Sequence, residues 1–381
     1  MGFLALSLPR SYAFTLLRLH APTLPLKLPP PLPLACKLIH VDTLVGILLG
    51  MVFVTPFVVT YALFVRWCDR FEPEPWWLLF CAFVWGAIFA TLGGGITSAI
   101  GEAAASAATG ATGDTLEGFG ATVLAPICEE GFKGLGVAII AAVSAMGLKE
   151  LDGPLDGAIY GGIIGLGFTL TEDILYVSSA YAKGGIGGFV GLLFLRTVLL
   201  GLSHCTFTAM TGIGFGIAAV SKSWTTKIAA PISGYCLAMC LHAFHNAMPT
   251  FFGTGGLVVM LLSSWFIDGL FFLLLAFLVA RDRAIVMLEL AGEVGGGLLH
   301  PMELQLVGSY FTLGWRNIGV LFSHGWTAFR QRRKKQLALV ELAFVKSRRR
   351  RGEIGQNLDM REARLRHEVA TANAHGVWIG N

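Results

Sequence analysis

Charged and imidazole side chains interrupt long apolar stretches in the central part of the chain. They are Glu129, Glu130, Lys133, Glu172, Asp173, His204, His242, His245 and Asp268. A carboxylate can act as a general base on water, and carboxylates together with neutral histidines can hold a metal ion or stabilise an oxyanion. These residue types therefore indicate hydrolytic chemistry, provided that the fold brings them together.

Three pairs of polar residues are each four positions apart, and residues at that spacing share one face of a helix. The pairs are Glu129 with Lys133, Glu172 with Tyr176, and His242 with Asn246. In the first pair the lysine can neutralise one carboxylate of the glutamate pair. No serine or cysteine nucleophile is evident, because Ser203 and Cys205 are chain neighbours of His204 and point in other directions on a helix.

The surrounding composition predicts that these residues lie in membrane-spanning helices. Hydrophobic residues make up 55% of the chain and charged residues 14%, whereas a soluble domain has about 25% charged residues. Runs without Asp, Glu, Lys or Arg cover 43–65, 75–101, 197–221 and 228–267. About 20 apolar residues suffice for a helix to cross a bilayer. Lipid admits only helices or closed barrels, and these runs lack the alternation of strands, so helices are predicted.

The predicted fold class is therefore all-α, a polytopic transmembrane helical bundle of about seven to eight spans with a basic soluble C-terminal tail. The spans are predicted at 42–65, 76–100, 119–147, 157–182, 200–220, 228–249 and 256–280. An irregular Pro- and Leu-rich segment, 1–40, precedes the transmembrane domain at 41–280, and the tail covers 281–381. Within the tail, 326–351 is expected to form a basic amphipathic helix on the inner leaflet, and 352–381 to be polar and flexible.

The charge distribution predicts the orientation of the chain. Of 28 Lys and Arg residues, 16 follow residue 280. The positive-inside rule then gives an integral, multi-pass protein of the plasma membrane whose tail is cytoplasmic. Basic clusters such as 348–351 are better explained by contacts with anionic membrane lipids than by nucleic acid, which is not expected as a partner.

The energy of burying charge in lipid predicts that the polar side chains meet. A Lys or Asp at the centre of a spanning helix costs about 2.5–3.5 kcal/mol on insertion scales, and is tolerated where it faces a protein interior. Glu129, Glu172 and His242 each lie about 8–10 residues from the proposed outer ends of their spans, which corresponds to one shared depth at 1.5 Å per residue. A single polar layer in the outer half of the membrane is expected, where a water can hydrolyse an amide bond.

Four motifs, in this order, resemble those of PrsW-type intramembrane proteases, which are relatives of the CAAX prenyl protease and Abi superfamily. They are Glu129–Lys133, Gly167–Tyr176, Ser203–Ala209 and Leu241–Asn246. Each motif lies on a separate predicted span, and the resemblance covers 42–280. It implies a membrane peptidase that cleaves membrane-bound protein substrates, and the family is associated with anti-sigma factors.

The resemblance also implies roles for the site residues. By this resemblance Glu129 and Glu130 activate water. The ligands or transition-state stabilisers are Glu172, His204 and His242. Supporting residues are Lys133, Asn246, Asp173 and Tyr176. Relatives are described both as metalloproteases and as glutamate-type enzymes, so a divalent metal such as zinc stays open, with Glu130, Glu172, His204 and His242 as its candidate ligands. Asp173 stands where the family usually has Asn, and its role is open.

Structural explanations compete with these roles. A Glu–Lys pair can join two helices, a single histidine can serve packing, and Asp268 is expected to pair helices. Arg196 is expected to extend to the membrane interface. Gly161, Gly165 and Gly167 predict close helix contacts. A non-enzymatic transporter or proton relay uses the same buried Glu, Lys and His residues, although the sequence shows no inverted repeat.

Overall fold

The computed structural model describes residues 34–69, 71, 73–148, 150–309, 312–352 and 356–379. Every regular element within these ranges is a helix, which confirms the predicted class. The helices are α1 (Leu34–Cys68), α2 (Trp76–Val84), α3 (Thr91–Thr109), α4 (Gly113–Phe119), α5 (Ala125–Val143), α6 (Pro154–Leu192), α7 (Ser203–Val220), α8 (Trp224–Gly295), α9 (Pro301–Val307), α10 (Thr312–Arg350) and α11 (Gln356–Ala374). The π-helical turns Trp85–Ala90 and Gly120–Leu124 join α2 to α3 and α4 to α5.

The predicted irregular segment at 1–40 is only partly described. Residues 1–33 lie outside the described ranges. Helix α1 begins at Leu34, so the prediction of irregular structure is wrong for 34–40.

Five helical segments of the described chain are long and apolar enough to cross a membrane. They are Val41–Cys68, Trp76–Thr109, Gly113–Leu148, Pro154–Val220 and Trp224–Gly295. The first three contain one predicted span each, and the last two, of 67 and 72 residues, contain two each. The backbone leaves the helical region within the long segments at Gly185 (φ 59°) and Gly253 (φ 55°), where glycine avoids the strain of a positive φ. A count of seven to eight crossings stays a prediction.

The outward faces of these segments are apolar. Large exposed side chains include Val52 in α1, Phe80 in α2 and Phe266 in α8. Soluble proteins rarely expose extended apolar surface. These surfaces are therefore compatible with contact to lipid, while the polar side chains point into the bundle.

The chain forms two compact units. The membrane unit contains α1 as far as Trp67 and the segment Glu74–Leu273, and the tail unit contains 68–73 and the chain from Leu274 onward. The predicted boundary between the transmembrane domain and the tail at 280 lies a few residues further along the same helix, α8.

Helix α6 is the buried centre of the membrane unit, and glycines allow its neighbours to come close. A Cβ at Gly161 would lie 2.5 Å from the carbonyl oxygen of Thr208 in α7, and one at Gly165 would lie 2.2 Å from that of His204. A Cβ at Gly167 would lie 2.1 Å from the carbonyl oxygen of Phe83 in α2. The predicted close helix contacts at these three glycines are confirmed.

The tail unit has its own apolar core, built from the end of α8 with α10 and α11. Its most deeply buried residues include Leu290, Leu339, Leu342, Leu365 and Val369. Helix α11 belongs to this core, so the prediction of a flexible segment at 352–381 is wrong for 356–374; 353–355, 380 and 381 lie outside the described residues. The region 326–350 is helical as predicted, and most of its apolar side chains are buried in the core, whereas Trp326 is exposed.

Candidate active site

Helix α5 supplies the charged centre of the site. Pro126 lies in its first turn, where the missing backbone donor is tolerated. Glu130 and Lys133 are fully buried, while 14% of the Glu129 side chain is exposed. A Cβ at Gly94 of α3 would lie 2.9 Å from Glu129 Cγ. This glycine therefore lets α3 close one side of the site.

The Lys133 ammonium lies in the middle of the cluster. Its Nζ donates to Glu130 Oε1 at 2.8 Å and to His204 Nδ1 at 3.1 Å. Glu129 Oε2 is 3.7 Å from Nζ, and the centre of the Phe168 ring is 3.6 Å from it. The spacing of the sequence predicted a pair with Glu129, but the shorter contact is with Glu130.

Both carboxylate oxygens of Glu130 are engaged. Oε1 accepts from Lys133 and lies 3.1 Å from His242 Nδ1, and Oε2 accepts from Thr208 Oγ1 at 3.0 Å. Because an ionised carboxylate can only accept, His242 Nδ1 carries a proton in this contact, and in a neutral imidazole Nε2 then keeps a lone pair. Glu130 thus joins α5 to α7 and α8.

Glu129 differs from its chain neighbour. Its Oε2 is buried and accepts no hydrogen bond from any residue that the structure describes. This oxygen lies 3.8 Å from His242 Nε2 and 3.7 Å from Lys133 Nζ. Both separations are too long for a direct hydrogen bond, and a contact of this length is one that a water can bridge. A free carboxylate oxygen therefore faces an imidazole lone pair.

Glu172 on α6 is linked to the cluster through His204 on α7. Glu172 Oε2 lies 2.8 Å from His204 Nε2. Since His204 Nδ1 accepts from the Lys133 ammonium, the neutral imidazole carries its proton on Nε2 and donates it to Glu172. His204 is consequently fixed at both ring nitrogens, and the close approach at Gly165 holds its helix against α6.

Arg196 extends this network. Its NH2 lies 2.5 Å from Glu172 Oε2, and its Nε donates to Asp173 Oδ1 at 2.9 Å. The guanidinium stacks 3.9 Å over the Tyr176 ring, and Thr197 donates to Asp173 Oδ2 at 2.8 Å. The expectation that Arg196 only extends to the membrane interface is wrong. The charge of Asp173 is compensated by this arginine.

Other polar residues of the spans have partners outside the Lys133 cluster. Asn246 Nδ2 donates to the Ala121 carbonyl at 2.9 Å, His245 Nδ1 lies 3.1 Å from Ser264 Oγ, and Thr206 donates to Asp268 Oδ1 at 2.6 Å. The helix-pairing role expected for Asp268 agrees with its contact to α7.

A small cavity adjoins His204. Its volume is about 20 Å³, and its lining residues are Thr169, Asp173, Arg196, Leu200, Ser203, His204 and His245. Space of this size admits one water molecule. Ser203 Oγ is buried and has no hydrogen-bond partner among the described residues. A water in the cavity would therefore find a hydroxyl and charged groups to bind.

Three side chains have the geometry of a metal-ligand set. One ligand atom from each of Glu130, His204 and His242 lies within 4.8 Å of the others, and all three residues are buried. Carboxylate and imidazole are ligands that zinc accepts, and the unpartnered oxygen of Glu129 lies beside them. These residues therefore fit a divalent metal, provided that the Lys133 ammonium, which contacts two of them, moves aside. Glu172, the fourth predicted ligand, lies outside this set.

Two residues of the site were missed in the sequence interpretation, and each had a signal. Arg196 is the only Lys or Arg between 184 and 220, which marks it as a buried partner for a carboxylate. Thr208 is four residues after His204 and thus on the same helical face. A hydroxyl at that spacing is a candidate donor to a neighbouring carboxylate.

Comparison with known protein families matches residues 74–280 to the PrsW family intramembrane metalloproteases. This range is more than half of the chain and contains every residue of the cluster. No curated protein and no solved structure matches the chain significantly.

Proposed function

The chain belongs to the PrsW family of intramembrane metalloproteases, and from this premise we propose that it hydrolyses a peptide bond of membrane-bound protein substrates within the bilayer. The observation that carries the proposal is the Glu129 oxygen Oε2, which accepts no hydrogen bond from the described residues and is buried 3.8 Å from His242 Nε2, beside the fully paired Glu130. A water that lies beside this pair can donate one hydrogen to Glu129 Oε2, which acts as the base, and the other to His242 Nε2.

Glu129 is the proposed general base. It takes a proton from the water as the water oxygen attacks the carbonyl carbon of the substrate. The proton then passes to the amide nitrogen as the carbon–nitrogen bond breaks, which yields a carboxylic acid and an amine. The nearby Lys133 ammonium favours the negative charge that develops on the carbonyl oxygen.

The remaining charged residues hold these groups in position. Glu130 orients His242 through Nδ1 and fixes Lys133, and Glu172 fixes His204 through Nε2. This support differs from the roles implied by family resemblance, which made Glu130 a second water-activating residue and gave Glu172 a direct catalytic or ligand role. In the present proposal Glu172 acts through His204, and Glu130 acts through His242 and Lys133 unless a metal is bound.

Membership in a metalloprotease family favours a divalent metal held by Glu130, His204 and His242. When bound, such a metal would act as a Lewis acid and lower the pKa of a water. Metal analysis of the purified protein tests this part. Wild type and an Asp268→Asn variant should bind the same amount of zinc, and a His242→Ala variant should bind less. Equal zinc contents in all three proteins would contradict a metal site at His242 and would favour a glutamate-type peptidase.

The substrate and location are also proposals. We place the protein in the plasma membrane with its tail in the cytoplasm, and propose a single-span membrane protein, with an anti-sigma factor as the first candidate, as its substrate. The basis is the family and the basic composition of the tail.

The decisive experiment is proteolysis in reconstituted membranes. Full-length wild type, Glu129→Gln and the matched variant Asp268→Asn are reconstituted with candidate single-span proteins, and the products are sized by mass spectrometry. We expect cleavage by wild type and Asp268→Asn and none by a folded Glu129→Gln. Cleavage by Glu129→Gln at the wild-type rate would refute the assignment of the base. Glu129-dependent flux of a solute or protons without cleavage would favour the transporter.

A further inference from the structure

The first half of helix α10 has an apolar face turned outward. Trp315, Ile318, Phe322 and, just beyond Gly325, Trp326 are 72%, 45%, 86% and 60% exposed. The first three are spaced by three and four positions, so they lie on one side of the helix. A solvated helix of a soluble domain carries polar residues on its outer face, and α10 has the reverse arrangement here.

The opposite face anchors this helix within the tail unit. Leu313 and Asn317, four residues apart, are buried, and Asn317 Nδ2 donates to Gln336 Oε1 at 2.9 Å. Asn317 Oδ1 accepts from Arg332 Nε at 2.9 Å. The helix is therefore held in a defined orientation, and the outward position of its aromatic residues is a property of the folded unit.

The charged residues of the segment that carries this face have a single sign. The segment 304–340 contains six Lys and Arg residues and no Asp or Glu. Arg316, Arg330 and Lys334 are exposed. Tryptophan and phenylalanine beside lysine and arginine are the composition of helices that lie in the interface of a bilayer.

We propose that this face of α10, Trp315 to Lys334, binds the surface of an anionic membrane. The aromatic side chains enter the headgroup region and the three exposed basic residues contact lipid phosphates. Charge complementarity favours this occupant, because an acidic lipid surface attracts the exposed residues Arg316, Arg330 and Lys334 that accompany the apolar face. The tail unit follows the membrane unit directly at Leu274 in α8, so it is covalently tethered to a bilayer.

This surface differs from the one that the sequence predicted. The prediction placed the lipid-facing helix at 326–351, where most apolar residues are buried in the core of the tail unit. The exposed apolar residues lie earlier, before and just after Gly325, where the backbone leaves the helical region with φ 78° and ψ 179°. A break at this glycine lets the two halves of α10 serve different surfaces.

The test uses tryptophan quenching in the full-length protein. Wild type and the double variant Trp315→Phe/Trp326→Phe are reconstituted in nanodiscs of phosphatidylcholine alone or mixed with phosphatidylglycerol. Doxyl-labelled lipid and aqueous acrylamide are the two quenchers. The fluorescence difference between the two proteins reports on Trp315 and Trp326 only. As a control, the difference signal from Trp265→Phe, in the apolar part of α8, should be quenched by doxyl lipid equally in both lipid compositions.

We expect the Trp315 and Trp326 signal to be quenched by doxyl lipid in the anionic nanodiscs and less so in phosphatidylcholine. In Arg330→Glu/Lys334→Glu, the ratio of molecules with the α10 face bound to lipid to molecules with this face in water should fall by about fivefold for each basic residue lost. Quenching by acrylamide but not by lipid would overturn the proposal in favour of a solvated face. Shielding from both quenchers would overturn it in favour of a second copy or another protein. Equal lipid quenching in both compositions would refute the role of lipid charge.

Discussion

The tail unit and the membrane unit both bury carboxylates beside cations, but they satisfy them differently. In the tail unit, Glu303 Oε1 accepts from Lys335 Nζ at 2.6 Å and from the Ile379 backbone at 3.0 Å, and Oε2 accepts from the His300 backbone. In the membrane unit, Glu130 is paired in the same complete way, and Glu129 Oε2 beside it is left without a hydrogen bond.

A second carboxylate of the tail unit follows the rule of complete pairing. Glu293 Oε1 accepts from Lys346 and Arg366, and Oε2 accepts from Arg366 Nε at 3.1 Å. These hydrogen bonds with Glu293 raise the pKa of the Arg366 guanidinium, so this ion pair keeps its charge at every physiological pH. A buried ion pair is tolerated when its lone pairs are satisfied, and here the pairs join α8, α10 and α11.

The number of hydrogen bonds at each buried carboxylate distinguishes a structural ion-pair network from a reactive site, although both contain buried charged residues. A leftover acceptor in a structural network only destabilises the fold. In the membrane unit the leftover oxygen lies 3.8 Å from His242 Nε2, while its neighbours are fixed by paired contacts. The reactive group that we propose is therefore the buried carboxylate oxygen that accepts no hydrogen bond from the described residues while its charged neighbours are fixed.

The strongest test of this comparison is the loss of the unpaired carboxylate. Glu129→Gln removes the base but keeps the shape and an oxygen, so the cleavage rate should fall by about 10²–10⁴-fold, the contribution of general base catalysis. Thermal unfolding should be unchanged, because Glu129 Oε2 makes no hydrogen bond that the fold would lose. The rate is measured on a single-span substrate in proteoliposomes. A variant that unfolds at a much lower temperature would contradict the distinction between the two glutamates.

Removal of a partner from the fully paired network should have the opposite effect. Lys335→Met leaves Glu303 buried and uncompensated, which is expected to destabilise the tail unit by about 3–5 kcal/mol. Limited proteolysis of the full-length protein measures this as faster cleavage within α10 and α11. The control is Arg283→Met, which removes an exposed basic residue from the part of α8 that belongs to the same unit and should behave as wild type. Equal resistance of both variants would show that the pair contributes nothing to the fold.

Much of the membrane unit could be predicted from the sequence, because lipid imposes severe constraints. Apolar runs predict helices. The cost of burying charge in lipid predicts that Glu129, Glu172 and His242 point into the interior of the helical bundle. Spacing alone could not distinguish Glu129 from Glu130. That distinction depends on Thr208 and the second nitrogen of His242, which are tertiary contacts.

The tail unit was less predictable for a related reason. Composition does not tell a solvated charge from one that is buried and paired, so the charged segment at 352–381 suggested flexibility. Its helix α11 is held by Leu365 and Val369 in the core and by Arg366 on Glu293. These partners lie more than 70 residues apart in the chain, and only the fold reveals them.

The close contact of α6 with α7 gives a third test, of moderate size. A methyl group at Gly165 would lie 2.2 Å from the His204 carbonyl oxygen, so Gly165→Ala should separate the helices and cost about 1–3 kcal/mol. A displacement of His204 by about 1 Å can lower the rate about 10²-fold. Gly191→Ala is the control, because a methyl group there meets open space. Thermal unfolding and cleavage are measured together, and wild-type values for Gly165→Ala would show that the tight packing has no role.

The smallest expected effect comes from a single hydrogen bond to the paired glutamate. Thr208→Val keeps the shape of the side chain and removes the hydroxyl that donates to Glu130 Oε2 at 3.0 Å. A hydrogen bond to a charged group contributes about 1.5–3 kcal/mol, so the cleavage rate should fall about tenfold as Glu130 loses its fixed orientation and His242 with it. Thr208→Ser restores the donor and should recover most of the activity. If Thr208→Ser were as impaired as Thr208→Val, the loss would come from the missing methyl group and not from the missing hydroxyl. The hydrogen bond from Thr208 to Glu130 would then not be needed to position His242 toward Glu129 Oε2.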